Sequence, residues 1–84
     1  MKSCFITFRS VTPGQRAEAL LRRTGVECSL QRTPRWMEEQ GCGYSLRLRQ
    51  EDGEIACRIL KGNGISYRKV YIQKENGIYE ELPV

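Results

Sequence analysis

The chain opens on a two-residue period. In residues 3–8, Cys4, Ile6 and Phe8 share one face and Phe5 and Thr7 the other, which predicts a first strand. A helical pattern follows. Thr12-Pro13-Gly14-Gln15 reads as a capping box, with Thr12 as N-cap, Pro13 at the first helical position and Gln15 reaching back. Ala17, Leu20, Leu21 and Thr24 form the inward stripe, and Gly25 ends the helix. Val26 to Gln31 predict a second strand, with Val26, Cys28 and Leu30 inward. Tyr44 to Arg49 predict a third, with Tyr44, Leu46 and Leu48 inward and Ser45, Arg47 and Arg49 outward. A second helix runs from about Asp52 to Lys61, capped by Asp52, with Ile55, Ile59 and Leu60 toward the core. Gly62-Asn63-Gly64 stops it. Ser66 to Gln73 read as a fourth strand with Val70 and Ile72 inward. Asn76-Gly77 signals a hairpin that returns Ile78 to Glu80 as an extra edge strand.

The predicted order is β-α-β-β-α-β, the split βαβ pattern of an α+β, ferredoxin-like fold. Right-handed crossovers put both helices on one face of an antiparallel sheet. The other face should stay open and show Phe5, Thr7, Ser29, Gln31, Ser45, Arg47 and Arg49. With 84 residues, one domain is expected, its core spanning about 3–73 and a C-terminal hairpin extension 74–84.

Composition narrows the function. Hydrophobic residues make up 39% and charged residues 29%, so an ordinary soluble protein is expected. No apolar run is long enough for a membrane span, and Met1-Lys2-Ser3-Cys4 lacks the pattern of a signal peptide. A cytoplasmic location follows as the expectation, with no membrane partner. The net charge is +4, but the arginines are spread along the chain, so nucleic acid is not the expected partner.

The four cysteines, Cys4, Cys28, Cys42 and Cys57, include no C-x-x-C pair, and histidine is absent. No metal site or cofactor is expected, and the usual general base is missing. Cys4 and Cys28 fall in the apolar register of strands, where a free thiol behaves as a small hydrophobe. Cys57 falls beside the core stripe of the second helix and reads as a bystander.

Cys42 is different. Twelve residues, Arg32 to Gly43, separate the second and third strands, where a hairpin needs two to five. Within them Gly41 and Gly43 flank Cys42 and leave its sulfur unshielded. Topology puts this loop at the sheet end where the first helix starts, near Ser10, Thr12, Pro13 and Gly14. Free backbone N–H groups there, with Arg9, Arg32 and Arg35, would favour a thiolate or hold an anionic persulfide. With no acid–base partner beyond Glu38 and Glu39, a carrier is expected rather than an enzyme.

The chain resembles a known family at this point. The residues that carry the likeness are Phe5-Ile6-Thr7-Phe8-Arg9-Ser10, Ala17-Glu18-Ala19-Leu20-Leu21, Gly25-Val26, Thr33-Pro34-Arg35, and Cys42-Gly43 leading into Leu46-Arg47-Leu48. They are similar to the small bacterial "putative selenium/sulfur carrier protein-like" family over roughly residues 3–72. The resemblance implies cargo held on Cys42, with Thr33, Pro34 and Arg35 as the family's Thr-Pro-Arg. It also implies a sulfur or selenium donor, such as a cysteine desulfurase, as partner. Glu38-Glu39-Gln40-Gly41 stand where relatives carry small hydroxyl residues. The Cys-Pro-x-Pro motif of better-known sulfur carriers is absent.

Two alternatives stand beside the carrier. One is a non-catalytic module that binds a small anion or RNA through Arg47 and Arg49. The other is a protein-interaction surface around Trp36 and Met37, or a homodimer through the C-terminal edge strand.

Overall fold

The computed structural model describes residues 2–33, 43–73 and 79–82. The strands are β1 (Ser3–Phe8), β2 (Cys28–Arg32), β3 (Tyr44–Arg49), β4 (Val70–Gln73) and β5 (Tyr79–Leu82). The helices are α1 (Val11–Arg23) and α2 (Gly53–Gly62), the second entered through a 3-10 turn at Gln50–Asp52. The fold is α+β. Its five strands form one sheet in the order β2-β3-β1-β4-β5, with every neighbouring pair antiparallel. Because β3 separates β1 from β2, and β1 separates β3 from β4, each helix connects two strands that are parallel but not adjacent.

The inward register of the strands agrees with the alternation in the sequence. Cys4, Ile6 and Phe8 of β1 are fully buried with Leu46, Leu48 and Val70, under Ala17 and Leu21 of α1 and Ala56 and Leu60 of α2. Gly14 lets α1 sit close. A Cβ there would meet Leu30 Cδ1 at 2.9 Å and Phe8 Cδ2 at 3.7 Å. Thr24 hydroxyl donates to the Leu21 carbonyl at 2.9 Å, and Gly25 turns the chain with φ +90°. That conformation is available to glycine at little cost.

Several expectations are corrected. α1 begins at Val11 with Ser10 as N-cap, so Thr12 is not the cap and no capping box forms. Pro13 lacks an N–H, but the first-turn N–H groups have no intrahelical acceptor, so the helix extends back past it. β2 starts at Cys28 instead of Val26, although Val26 is buried. β4 is shorter than expected and starts at Val70: just before it Arg68 and Lys69 both bond to Thr7 of β1, two residues against one, which breaks the regular ladder. Ile55 is 52% exposed, not in the core. The close stripe of Gly53, Ala56 and Leu60 fixes the rotation of α2 and turns Ile55 outward.

The sheet face away from the helices is also less open than expected. Phe5, Thr7 and Ser45 are 6%, 2% and 0% exposed. Phe5 and Tyr71 form a second apolar cluster, and Tyr79 reaches across from β5 to meet Phe5 edge-on at 5.4 Å. Small hydroxyl residues read as solvent-facing in the sequence, yet they suit a tightly covered face. Ser45 Oγ is buried with no hydrogen-bond partner among the described residues. Ser45→Ala removes that unpaired group, so it should raise stability by about 1 kcal/mol. Urea unfolding of the two proteins checks this; a clear loss of stability would show that the hydroxyl is in fact bonded.

The β2 edge is occupied from α1. Glu18 Oε2 accepts from the Leu30 N–H at 2.9 Å, and the Arg22 guanidinium donates twice to the Cys28 carbonyl at 3.1 and 3.2 Å. Glu18 and Arg22 also pair with one another at 3.5 Å, one helical turn apart.

Candidate functional site

The predicted site lies on the segment that joins β2 to β3. Of its residues, Pro34, Arg35, Trp36, Gly41 and Cys42 lie outside the described residues. Thr33 and Gly43, at its two ends, lie within them. The Thr33 N–H donates to the Gly43 carbonyl at 3.0 Å and closes the base of the segment. Both residues are buried, and Thr33 Oγ1 has no hydrogen-bond partner among the described residues.

The register places this base. Tyr44 is opposite Arg32 on one side and Phe8 on the other. The end of β1, the end of β2 and the start of β3 therefore share one end of the sheet. Arg9 and Ser10 leave β1 there, and α1 starts immediately after. Its first turn carries no acidic residue, so the free N–H groups and the positive end of the helix dipole are not offset locally. Arg9, Ser10 and Thr12 are exposed at this end. Arg9, Ser10, Thr12, Thr33 and Gly43 thus lie at the same end of the sheet.

The three cysteines within the described residues are free thiols. Cys4 is fully buried, and burial pushes its pKa up to about 12, with Cys57 adding to the rise. Cys28 is also pushed up, by burial and then by the Glu18 carboxylate, with Arg22 opposing. Cys57 is not a detached bystander. It is half-buried, packs against the main core, and burial raises its pKa against the pull of the Tyr67 hydroxyl and the Lys61 ammonium. Tyr67 Oη, buried without a well-formed hydrogen bond, has this thiol as its polar neighbour. Sequence reasoning did not single out Tyr67. Its stretch reads as strand, while the chain there is an irregular connection to β4.

The arginines of the alternative surface border a groove that Gly25, Val26, Cys28 and Leu48 also line, so it wraps the sheet end where β1 and β2 start and is not confined to the far face. Arg47 and Arg49 line a groove of about 820 Å3 with Lys2, Arg22 and Glu27. Its cations are engaged: Arg47 Nε donates to Ser3 Oγ at 3.3 Å, and Arg49 pairs with Glu27 at 3.3 Å and Glu51 at 3.4 Å. Phe5, the aromatic that a stacking surface would need, is buried.

Among the described residues no cluster of three or more metal-ligating side chains occurs, and no helix is long and apolar enough to cross a membrane. Neither a curated protein nor a solved structure matches the chain. One family model does match, over residues 3–72, which is most of the chain. The Phe-Ile-Thr-Phe strand, the glycine after α1 and the Cys42-Gly43 pair of the sequence all fall inside that match, and the chain belongs to the family described as "Putative Se/S carrier protein-like".

Proposed function

We propose that this protein carries sulfur or selenium as a persulfide or perselenide on Cys42. The observation that carries this reading is the state of the other thiols. Cys4, Cys28 and Cys57 are buried or half-buried, and burial raises the pKa of each. At neutral pH they are held as protonated thiols, poor nucleophiles for taking up a sulfur atom. Cys42, between Gly41 and Gly43, is the remaining thiol.

In the proposed step the Cys42 thiolate attacks the outer sulfur of a donor persulfide. A new S–S bond forms on Cys42 and the donor leaves as its own thiolate, so no external oxidant is needed. The product is anionic at neutral pH. The first-turn N–H groups of α1, together with Arg9, Ser10, Thr12, Thr33, Pro34, Arg35 and Gly43, form the supporting set for that charge. A cysteine desulfurase or another sulfur- or selenium-transfer protein is the donor, and the setting is the bacterial cytoplasm. With no histidine in the chain, the role is that of a carrier and not of an enzyme.

The same reading treats β1-α1-β2-β3-α2-β4 as a ferredoxin-like unit with β5 added. The order β4-β1-β3-β2 within the sheet and the two helical crossovers support it.

The test is incubation with a cysteine desulfurase and cysteine, followed by mass mapping of the four cysteines. One extra sulfur should appear on Cys42 and vanish in Cys42→Ser. Equal labelling of all four cysteines, or none on Cys42, would overturn the proposal.

A further inference from the structure

The groove that Arg47 and Arg49 border has no part in the carrier reading. It lies where β1 and β2 start, whereas the Cys42 segment leaves from the opposite end of the sheet. The five steps of β1 from Ser3 to Phe8 set the two roughly 16 Å apart. At about 820 Å3 the groove falls within the size range of small-molecule sites.

Its charge is one-sided. Lys2, Arg22, Arg47 and Arg49 stand on its lining against one carboxylate, Glu27. Arg22 is matched in part by Glu18, and Arg49 by Glu27 and Glu51. Arg47 pairs with no carboxylate among the described residues; its Nε donates to Ser3 Oγ at 3.3 Å. Ser3 is buried, so this bond ties the guanidinium to a fixed point. It uses one of five N–H groups and leaves both terminal NH2 groups free to donate side by side. Ser29 is exposed, sits directly opposite Arg47 on β2 and adds a hydroxyl on the same face. An anchored arginine fork, a second donor beside it and surplus positive charge around both match a group with two charged oxygens.

We infer that this groove binds a small organic dianion, a phosphate monoester or a dicarboxylate, whose oxygens Arg47 grips. Ser3 is the positioning residue that orients the fork. Lys2, Arg22 and Arg49 add attraction, and Glu27 opposes it. A nucleic-acid strand fits less well, because Phe5 is buried and no base can stack on it.

The test is a chemical-shift titration of the intact chain with methyl phosphate, malonate and acetate. Ionic strength is held constant, at a pH where the first two are doubly charged. Both dianions should bind more tightly than acetate, with shifts centred on Ser29, Arg47 and Arg49; the tighter of the two identifies the ligand's charged group. Arg47→Gln should weaken dianion binding about tenfold, as expected for the loss of charge-assisted hydrogen bonds. Arg47→Lys, which keeps the charge but not the fork, should recover only part of this. Glu27→Gln should tighten binding. Ser3→Ala should weaken it about twofold in the wild type and leave it unchanged in an Arg47→Lys background, the coupling expected of a residue that acts through another. Arg16→Gln, an exposed charge change on α1 away from the groove, and Cys42→Ser should both leave binding as it is, which separates this site from the carrier thiol. Equal weakening by Arg16→Gln and Arg47→Gln would overturn the inference. So would shifts centred on the start of α1, or dianions binding no more tightly than acetate.

Discussion

Phe8→Ala should remove a quarter or more of the stability of this protein. The side chain is fully buried at the end of β1, the largest residue in the core with no exposure. It lies under the first turns of α1, where Gly14 brings the helix close. Truncating a buried phenylalanine costs about 3–5 kcal/mol, through lost apolar burial and the cavity left behind. A fold of this size has a total of about 4–12 kcal/mol. The melting temperature should therefore fall by on the order of 20 °C. Urea unfolding followed by circular dichroism should show a lower midpoint with the slope unchanged. A loss under about 1 kcal/mol would mean that Phe8 is not seated between β1 and α1.

Thr7→Val should have the next largest effect, by a different route. Thr7 is 2% exposed, and its hydroxyl clamps the connection that leads into β4. Oγ1 accepts from the Lys69 N–H at 3.0 Å and donates to the Lys69 carbonyl at 3.3 Å. The main chain doubles the contact: Thr7 N–H donates to Lys69 O, and Arg68 N–H to Thr7 O, both at 2.8 Å. Valine keeps the shape and the strand preference but leaves the Lys69 N–H without its acceptor. The expected cost is about 1–3 kcal/mol. Thr7→Ser, which keeps the oxygen, should recover much of it. Hydrogen exchange at the Lys69 amide gives the local readout: faster in Thr7→Val and near wild type in Thr7→Ser. Unchanged exchange in Thr7→Val would refute the clamp.

Much of the fold was legible because its strands put apolar residues on one face. Cys4, Ile6, Phe8, Leu46 and Leu48 announce the core by alternation alone. The errors have particular causes. The hydroxyls of Thr7 and Ser45 suggest exposure, but both side chains are buried on this face beside Phe5. Apolar spacing suggests Ile55 for the core because it does not reveal which stripe of α2 a glycine brings closest. Pro13 drew the helix start two residues too late, since a proline is tolerated anywhere in the first turn. Of the candidate site, chain order alone points to a long segment between β2 and β3 at the end of the sheet where α1 starts, whereas the Thr33–Gly43 bond that closes its base carries no sequence signal. The pairing of Tyr67 with Cys57 carries none either, because it joins a helix to an irregular stretch that no periodicity marks.

The Glu18 and Arg22 contacts on β2 guard one margin of the sheet. An edge strand normally offers its outward N–H and C=O groups to any extended chain that arrives. On β2 two of those groups are already taken by side chains of the protein's own helix. A peptide adding there would have to displace a carboxylate and a guanidinium first. Any chain that docks by extending the ladder at β2 therefore meets a strand already latched by its own helix.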